Sequence, residues 1–251
     1  MLDRFPFVDS ATKYPSIDTY HVLGERGRLT NEVTKFSGPV YLTEKVDGTN
    51  ARIVIDRDGD YVIGEREGLL CARGDRVVNP SLGIVEALRD FADLSDLAPS
   101  NGDLRVYFLE VYGGKIGQSH KQYTGGVNVG FRLFDVAHIP SDVLSWPREQ
   151  IASWRDSGGQ SFATEDEFLA IAAKANIPTV PRLAVTEAGN LPVSISETYD
   201  WLGSYLPKTN VALDDGAKGR PEGIVLRSFD RSVIRKARFA DYERTLNIKN
   251  R

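Results

Sequence analysis

The feature that most restricts the fold of this chain is a series of short apolar segments separated by turn residues. One segment, Val40–Thr43, leads into a turn at Glu44–Asn50, and Ala51–Ile55 leaves that turn with alternating positions. Side chains of a β-strand point alternately to opposite faces, so this period of two predicts strands. Asp58-Gly59 then marks a hairpin. Further strands are predicted at Tyr61–Ile63, Leu104–Val111, Val129–Val136, Arg182–Val185, Gly223–Arg227 and Ser232–Ala237.

A few segments are predicted to be helices. They are Leu82–Leu94, Pro147–Trp154, Glu165–Ala175 and Ile195–Leu206. Thr164 with Glu167 and Ser194 with Glu197 have the spacing of capping boxes, which places two of the helix starts. A few helices among many short strands indicate an α+β fold with mostly antiparallel sheet. No stretch is rich enough in Pro, Gly or Ser to be a linker, so we expect residues 1–251 to form a single domain.

The composition excludes several classes of protein. At 251 residues with 41% hydrophobic content, the chain is long enough to bury a full core. No segment approaches the roughly 18 apolar residues of a membrane-spanning helix, and the N-terminus lacks the pattern of a secretory signal. We therefore expect a cytoplasmic protein without a membrane partner.

The metal-binding and charged residues narrow the choice further. One cysteine and three histidines cannot form a disulfide framework or a cysteine/histidine zinc site, so any metal must be a hard ion bound by oxygen. The net charge of −4 argues against a protein that coats nucleic acid by bulk electrostatics. Lysines and arginines are nevertheless concentrated between Lys208 and Arg238, which is compatible with a local basic groove.

Lys45 is a candidate covalent nucleophile because it lies in a turn that can admit a phosphate. A lysine reacts only after its ammonium loses a proton, which burial and nearby cations favour. Gly48 permits close approach of the backbone to a phosphate, and Asp47 and Asn50 offer polar contacts to a sugar or to metal-bound water. The alternative is a hairpin with a surface lysine, since Asp-Gly is a common turn dipeptide.

Two later strands carry isolated carboxylates in apolar surroundings. Glu110 stands within Tyr107–Gly113 and needs a hydroxyl, a cation or a metal; pairing with a buried arginine such as Arg132 is the structural alternative. Glu222 stands at the mouth of the apolar strand that begins at Gly223.

Aromatic and cationic strands complete the set of candidates. In the strand from Gly130 to Asp135, Phe131 and Leu133 are predicted to share one face and Arg132 and Phe134 the other. Either one of the two phenylalanines stacks on a base or both join the core. Ile234, Lys236 and Arg238 are predicted to share a face of another strand. Cations on such a face indicate a charged ligand, although a solvated strand edge gives the same pattern.

Taken in order, these elements resemble the motifs of covalent nucleotidyltransferases, the superfamily of polynucleotide ligases and messenger-RNA capping enzymes. The resemblance runs from Lys45 to Arg238. Thr49-Asn50 and the upstream segment Lys13–Tyr20 are similar to RNA ligases of the phage nick-sealing type. The resemblance implies an ATP-grasp-like nucleotidyltransferase fold of antiparallel sheets flanked by helices, with the nucleotide in the cleft between sheets.

The resemblance also implies a role for each candidate residue. Lys45 is expected to be adenylated by ATP, with Lys236 and Arg238 as catalytic residues that grip the triphosphate and Lys236 on the α-phosphate. Asn50 and Glu110 are expected at the ribose and Phe131 on adenine, beside Glu44, Asp47 and Gly48 of the nucleophile turn. Glu222, with Glu110, is expected to bind Mg²⁺ or its alternative Mn²⁺. Arg66 is expected to contact the ribose or the incoming 5′-phosphate, and Arg73 is the alternative for that role.

The implied partner is RNA with 5′-phosphate and 3′-hydroxyl ends. The chain departs from the family pattern at Arg238, where a lysine is usual, and only 13 residues follow that position. We therefore expect no C-terminal accessory domain, often an OB fold, and a separate end-binding protein becomes a candidate partner. The open alternatives are a capping-type guanylyltransferase, a DNA ligase and a non-catalytic domain that binds RNA ends.

Overall fold

Alternation of apolar side chains along the strands produces the three sheets of the described residues. The computed structural model describes residues 1–3, 5–73, 75–76, 83–94 and 97–248. Contacts divide the chain into two compact units. The first comprises Met1–Pro15, Gly48–Gln118 and Val127–Thr179, and the second Ser16–Asp47, Ser119–Gly126 and Val180–Arg251.

The first unit contains a seven-stranded antiparallel sheet. Its strands are β4 (Thr49–Ile55), β5 (Tyr61–Glu65), β6 (Leu69–Ala72), β7 (Asp75–Arg76), β8 (Leu104–Gly113), β9 (Val129–Ile139) and β10 (Ser161–Phe162), in the order β10-β9-β8-β4-β5-β6-β7. Strand β4 is buried on both faces: Ala51, Ile53 and Ile55 join one apolar cluster and Val54 joins another. Because successive side chains of β4 point to opposite faces of the sheet, this strand contributes to two apolar clusters.

Helices cover this sheet. They are α1 (Val8–Ala11), α2 (Ile84–Ala92), α3 (Arg148–Asp156) and α4 (Glu165–Lys174). Helix α2 buries Ile84, Val85 and Leu88 in the cluster that contains Ile53. Helix α4 begins at the capping box predicted from the sequence, with the Thr164 side chain accepting from the Glu167 backbone and the Glu167 carboxylate accepting from the Thr164 backbone.

The second unit contains a two-stranded and a four-stranded sheet. Its elements are β1 (His21–Leu23), β2 (Leu29–Val33), β3 (Pro39–Lys45), β11 (Arg182–Glu187), α5 (Ile195–Tyr205), β12 (Gly223–Ser228), β13 (Ile234–Arg238) and α6 (Phe239–Leu246). The larger sheet has the order β11-β3-β12-β13 and the smaller one pairs β1 with β2. A third apolar cluster, which includes Leu42, Leu202 and Leu226, forms the core of this unit.

One glycine sets the spacing of the central strands in the second unit. Gly223 of β12 pairs with Lys45 of β3 on one side and with Arg238 of β13 on the other. A Cβ atom at this position would lie 2.1 Å from the carbonyl oxygen of Ala237, a distance that no side chain tolerates. Only glycine fits here, and it brings Lys45 and Arg238 to the same end of the sheet.

The architecture confirms the predicted α+β fold of antiparallel sheets flanked by helices. All the strand ladders of the described residues are antiparallel, and the predicted strands and helices occur with ends shifted by a few residues. Leu82, the predicted start of α2, lies outside the described residues. The prediction of a single domain stays a prediction. No helix of the described ranges has the length and apolar character needed to cross a bilayer.

Candidate active site

Lys45 forms an ion pair with Glu222 in the second unit. The Nζ atom of Lys45 donates to Oε2 of Glu222 at 2.7 Å, and the two side chains are 24% and 15% exposed. The pairing follows from the sheet register, since Lys45 ends β3 opposite Gly223, the residue after Glu222. Burial raises the pKa of Glu222, although the charge of Lys45 and its hydrogen bond oppose that shift. A carboxylate with a raised pKa is well suited to accept a proton from the lysine.

Lys236 lies on β13 and is held by the N-terminal segment. Its backbone N–H donates to the Asp18 carbonyl at 2.9 Å, and its carbonyl accepts from the Tyr20 N–H at 2.8 Å. Residues 18–20 thereby bracket Lys236 through a parallel bridge at Thr19. Burial lowers the pKa of Lys236, and the charges of Arg238 and Lys45 lower it further. Three cations thus act on one another, an arrangement that favours an anionic ligand.

Arg238 is fixed by Asp241, a residue that the sequence analysis did not identify. The guanidinium donates from Nε to Oδ2 at 2.8 Å and from Nη2 to Oδ1 at 3.0 Å. Burial alone would lower the pKa of Arg238, but the hydrogen bonds and charge of Asp241 outweigh it and raise the pKa. The sequence signal was an acidic residue in the first turn of α6, a position favoured by the helix dipole.

A cavity of about 200 Å³ borders Glu222, the partner of Lys45, within the second unit. Its walls include Asp47, Ser119, Tyr123, Arg220, Glu222 and Phe239. Of these, only Asp47 and Glu222 were predicted as site residues. The others are far from Lys45 in sequence and carry no motif of their own.

The Glu44 carboxylate is engaged by a loop of the same unit. Glu44 is buried, and its oxygens accept from the Thr209 hydroxyl, from the Asn210 backbone at 2.9 Å and from the Asn210 side chain at 3.2 Å. Its contribution to nucleotide binding stays a prediction.

In the first unit, Glu110 and Asn50 are cross-strand neighbours on β8 and β4. Oε1 of Glu110 accepts from the Gly48 N–H at 2.9 Å, while Arg132 faces Glu110 from β9. Oδ1 of Asn50 is buried and accepts no hydrogen bond from any described residue. Because a buried acceptor without a donor is costly, this atom suits a ligand hydroxyl or amine.

The glycine after Asp47 is required by its surroundings. A Cβ atom on Gly48 would lie 2.2 Å from the carbonyl oxygen of Val111. Close packing of Gly48 against β8 within the first unit therefore explains why this residue is a glycine.

The structure places the remaining candidates on the first unit. Phe131 is half-buried against the first apolar cluster, with its ring centroid 5.8 Å from that of Phe91, so it joins the core and keeps part of its ring accessible. Arg66 is mostly exposed and lies 3.8 Å from Glu67. Arg73 donates to the Gly59 carbonyl and pairs with Asp93 at 3.7 Å. Arg66 is therefore the more accessible of the two arginines.

Two carboxylates of the second unit are suited to a divalent metal. The described residues contain no group of three or more His, Cys, Asp or Glu side chains that would form an all-protein metal cage. Asp47 and Glu222 border the same cavity. Mg²⁺ in phosphoryl-transfer sites commonly binds one or two carboxylates together with substrate phosphates and water, so these two side chains fit the ion. The predicted metal pair of Glu110 and Glu222 stays a prediction.

Comparisons with known proteins agree with this architecture. A Naegleria gruberi RNA ligase mutant solved with ATP and Mn superposes with a TM-score of 0.55 at 15% identity, covering 91% of this chain and 63% of that one. The Naegleria gruberi enzyme with PPi gives a TM-score of 0.54 at 15% identity and 94% and 64% coverage. An archaeal ATP-dependent RNA ligase gives 0.57 at 17% identity, with 92% and 49% coverage.

The chain thus spans less than two thirds of the length of these structures. No curated protein matches it by sequence. The family model for RNA ligase matches residues 38–240, which includes Lys45, Glu110, Glu222, Lys236 and Arg238. The match covers most of the chain, and the protein therefore belongs to the RNA ligase family.

Proposed function

We propose that this protein is an ATP-dependent RNA ligase that forms a covalent lysyl-AMP intermediate at Lys45. The observation that carries the proposal is the 2.7 Å contact between Lys45 and Glu222. It joins a primary amine to a carboxylate whose pKa is raised by burial. Membership of the RNA ligase family and the solved relatives with ATP and Mn support the choice of nucleotide.

The first step transfers AMP to the protein. A proton passes from Nζ of Lys45 to Oε2 of Glu222, and the free amine attacks the α-phosphorus of ATP. A bond forms between Nζ and phosphorus as the bond to pyrophosphate breaks. Lys236 and Arg238 carry positive charge on the neighbouring strand and stabilise the charge on the phosphate oxygens. Bound by Asp47 and Glu222, Mg²⁺ would add further positive charge at those oxygens.

Residues of the first unit are assigned to the nucleoside. The buried Oδ1 of Asn50 accepts from a ribose hydroxyl, and Glu110, which already accepts from Gly48, supports the same region. Phe131 contacts adenine with the accessible part of its ring, and Arg66 contacts the ribose or the incoming phosphate.

The later steps use RNA as the substrate. The AMP passes from Lys45 to a 5′-phosphate end and forms a 5′-5′ pyrophosphate bond. A 3′-hydroxyl then attacks that 5′-phosphate, a phosphodiester forms, and AMP leaves. The partner is RNA with 5′-phosphate and 3′-hydroxyl ends, and we place the protein in the cytoplasm, where ATP and such ends occur together.

Covalent labelling tests the proposal. The protein is incubated with α-labelled ATP or GTP and Mg²⁺, denatured, and examined for label on the chain. We expect label from ATP that is lost in Lys45→Ala and kept in Lys35→Ala, an exposed lysine of the same unit. Absence of label with both ATP and GTP would refute the proposal, and label from GTP alone would indicate a capping-type guanylyltransferase. Nicked and single-stranded RNA and DNA then identify the polymer.

A further inference from the structure

A loop of the second unit holds the turn that follows the nucleophile. We call residues 119–126 the strap. The backbone N–H of Asp47 donates to the Tyr123 hydroxyl oxygen at 2.7 Å, and the Ser119 hydroxyl donates to the Asp47 carboxylate. Asp47 lies two residues after Lys45, so the strap holds both the backbone and the side chain of the nucleophile turn.

The Tyr123 hydroxyl accepts this hydrogen bond in surroundings shielded from water. Its side chain is fully buried. Burial raises the pKa of Tyr123 strongly, and the charges of Asp47, Glu222 and Glu44 add to the shift. Since an ordinary tyrosine has a pKa of about 10, the phenol of Tyr123 is neutral near pH 7. A neutral phenol oxygen binds the Asp47 N–H without placing another negative charge beside Glu222.

The strap is itself anchored by the loop that precedes β12. The Leu213 N–H donates to the Tyr123 carbonyl at 2.7 Å. The Asp214 carboxylate accepts from the Thr124 hydroxyl, from the Gly125 N–H at 2.8 Å and from the Gly216 N–H at 3.0 Å. A carboxylate that accepts several hydrogen bonds at once restrains the backbone segments that donate them.

A second set of contacts fixes the other half of the strap. The Lys218 N–H donates to the Lys121 carbonyl at 2.9 Å, and the Gly219 N–H donates to the Gln122 carbonyl at 3.0 Å. The Arg220 N–H donates to the Gln122 side chain, also at 3.0 Å. The strap is thus bound along its length to residues 213–220, a segment that ends two positions before Glu222.

We infer that Tyr123, Ser119 and Asp214 are positioning residues for the attack by Lys45. Residues 119–126 fix the turn on one side of the ion pair, and residues 213–220 connect that loop to the segment that ends at Glu222. The inference rests on the proposed function, because it assigns these side chains to the rate of lysyl-AMP formation. Small displacements of a reacting group cost rate even when binding is unaffected, so positioning acts on the rate constant.

The decisive variant is Tyr123→Phe, which keeps the buried ring and removes the oxygen that accepts from Asp47. Lysyl-AMP formation is followed in a single turnover with excess labelled ATP and Mg²⁺. We expect the rate constant to fall by about tenfold, with the KM for ATP and the final amount of labelled protein unchanged. A folding defect would instead lower the final amount and leave the rate constant intact.

The matched control is Tyr242→Phe. Tyr242 is also buried in the second unit, and its hydroxyl lies 2.8 Å from Nδ1 of His21. This variant removes one buried hydroxyl without contact to the nucleophile turn, so its rate constant should equal that of the wild type.

Substitutions of Ser119 provide a second, independent test. Ser119→Ala removes the donor to Asp47 and should slow the rate constant, whereas Ser119→Thr keeps a hydroxyl and should restore it. Asp214→Asn weakens the anchor of the strap and should also slow the reaction.

Two outcomes overturn the inference. Wild-type rate constants in both Tyr123→Phe and Ser119→Ala would show that the strap does not position Lys45. Equal slowing in Ser119→Ala and Ser119→Thr would show that the hydroxyl has no part. Failure of the wild-type protein to form any labelled intermediate would instead refute the proposed function itself.

Discussion

Oε2 of Glu222 lies 2.7 Å from Nζ of Lys45, although the two residues are far apart in the sequence. The contact depends on β3 and β12 being neighbours in register, with Gly223 opposite Lys45. In the proposed reaction, Glu222 is therefore already within hydrogen-bond distance of the amine whose proton it would accept. Pre-arranged partners of this kind lower the cost of reaching a reactive geometry.

Glu222→Gln should slow lysyl-AMP formation by about 100-fold, because the amide cannot take the proton from Lys45. Burial raises the pKa of Glu222, so the wild-type rate should decline, as the pH falls, at a higher pH than an ordinary glutamate would give. Single-turnover labelling across pH measures both effects. If the rate of the Glu222→Gln variant declined at the same acidic pH as that of the wild type, another group would control this decline.

Asp241→Asn should raise the KM for ATP by about fivefold, since Arg238 loses part of the charge that orients its guanidinium. Asp241 is only 1% exposed, so its two hydrogen bonds to Arg238 are shielded from water. Steady-state labelling at several ATP concentrations provides the measurement. Arg244→Lys, which alters the other partner of Asp241, is the control and should leave the KM near its wild-type value.

Asp9→Ala should lower the free energy of unfolding by about 3 kcal/mol, because it leaves a buried guanidinium without its carboxylate. Arg52 is fully buried on β4, and it donates to Asp9, to the Thr12 hydroxyl and to the Glu65 carbonyl. Urea denaturation measures the change. The double variant Asp9→Ala with Arg52→Met should recover part of the loss, and a loss equal to the sum of the single variants would contradict the pairing.

His21 should make the protein less stable as the medium becomes acidic. Its Nδ1 lies 2.8 Å from the Tyr242 hydroxyl and its Nε2 lies 2.9 Å from the Val193 carbonyl, which is consistent with a neutral ring that donates from Nε2. Burial lowers the pKa of His21, although the Val193 carbonyl opposes the shift. The folded state therefore binds this proton less readily than the unfolded state does.

The stability that His21 contributes is complete above the unfolded pKa of about 6.5 and is lost as the pH falls towards the folded pKa. One proton limits the slope to about 1.4 kcal/mol per pH unit. Denaturation at pH 7.5, 6.5 and 5.5 should show a shallower dependence in His21→Gln than in the wild type. Parallel slopes would exclude His21 as the cause.

Local patterns were sufficient for the strands that carry the candidate residues. Alternation along Ala51–Ile55 correctly indicated a strand with two distinct faces, and the Thr164 capping box correctly located the start of α4. Phe131 and Leu133 contribute to one apolar cluster and Phe134 to the other, as their spacing predicted. Strand faces and helix caps are determined by residues close together in the sequence, so they can be predicted from it.

Contacts between distant segments could not be predicted in the same way. Tyr123 and Ser119 meet Asp47 from more than 70 positions away, and their hydroxyls carry no periodic signal. The bracket of Lys236 by Asp18 and Tyr20 uses backbone atoms, which are the same in every residue except proline. Such contacts can be predicted only when the register of the sheets is known.

The order of the segments in the two units has a consequence for how the chain must be made. The polypeptide passes from one unit to the other five times, after Pro15, Asp47, Gln118, Gly126 and Thr179. Neither unit is a continuous stretch of sequence, so neither can be expressed alone by cutting the gene at one point. Because most contacts join distant segments, folding should be slow and should begin only when much of the chain has been synthesised. Lys45 lies two residues before the crossing after Asp47, and its contact with Glu222 forms only when the region of β12 has been synthesised.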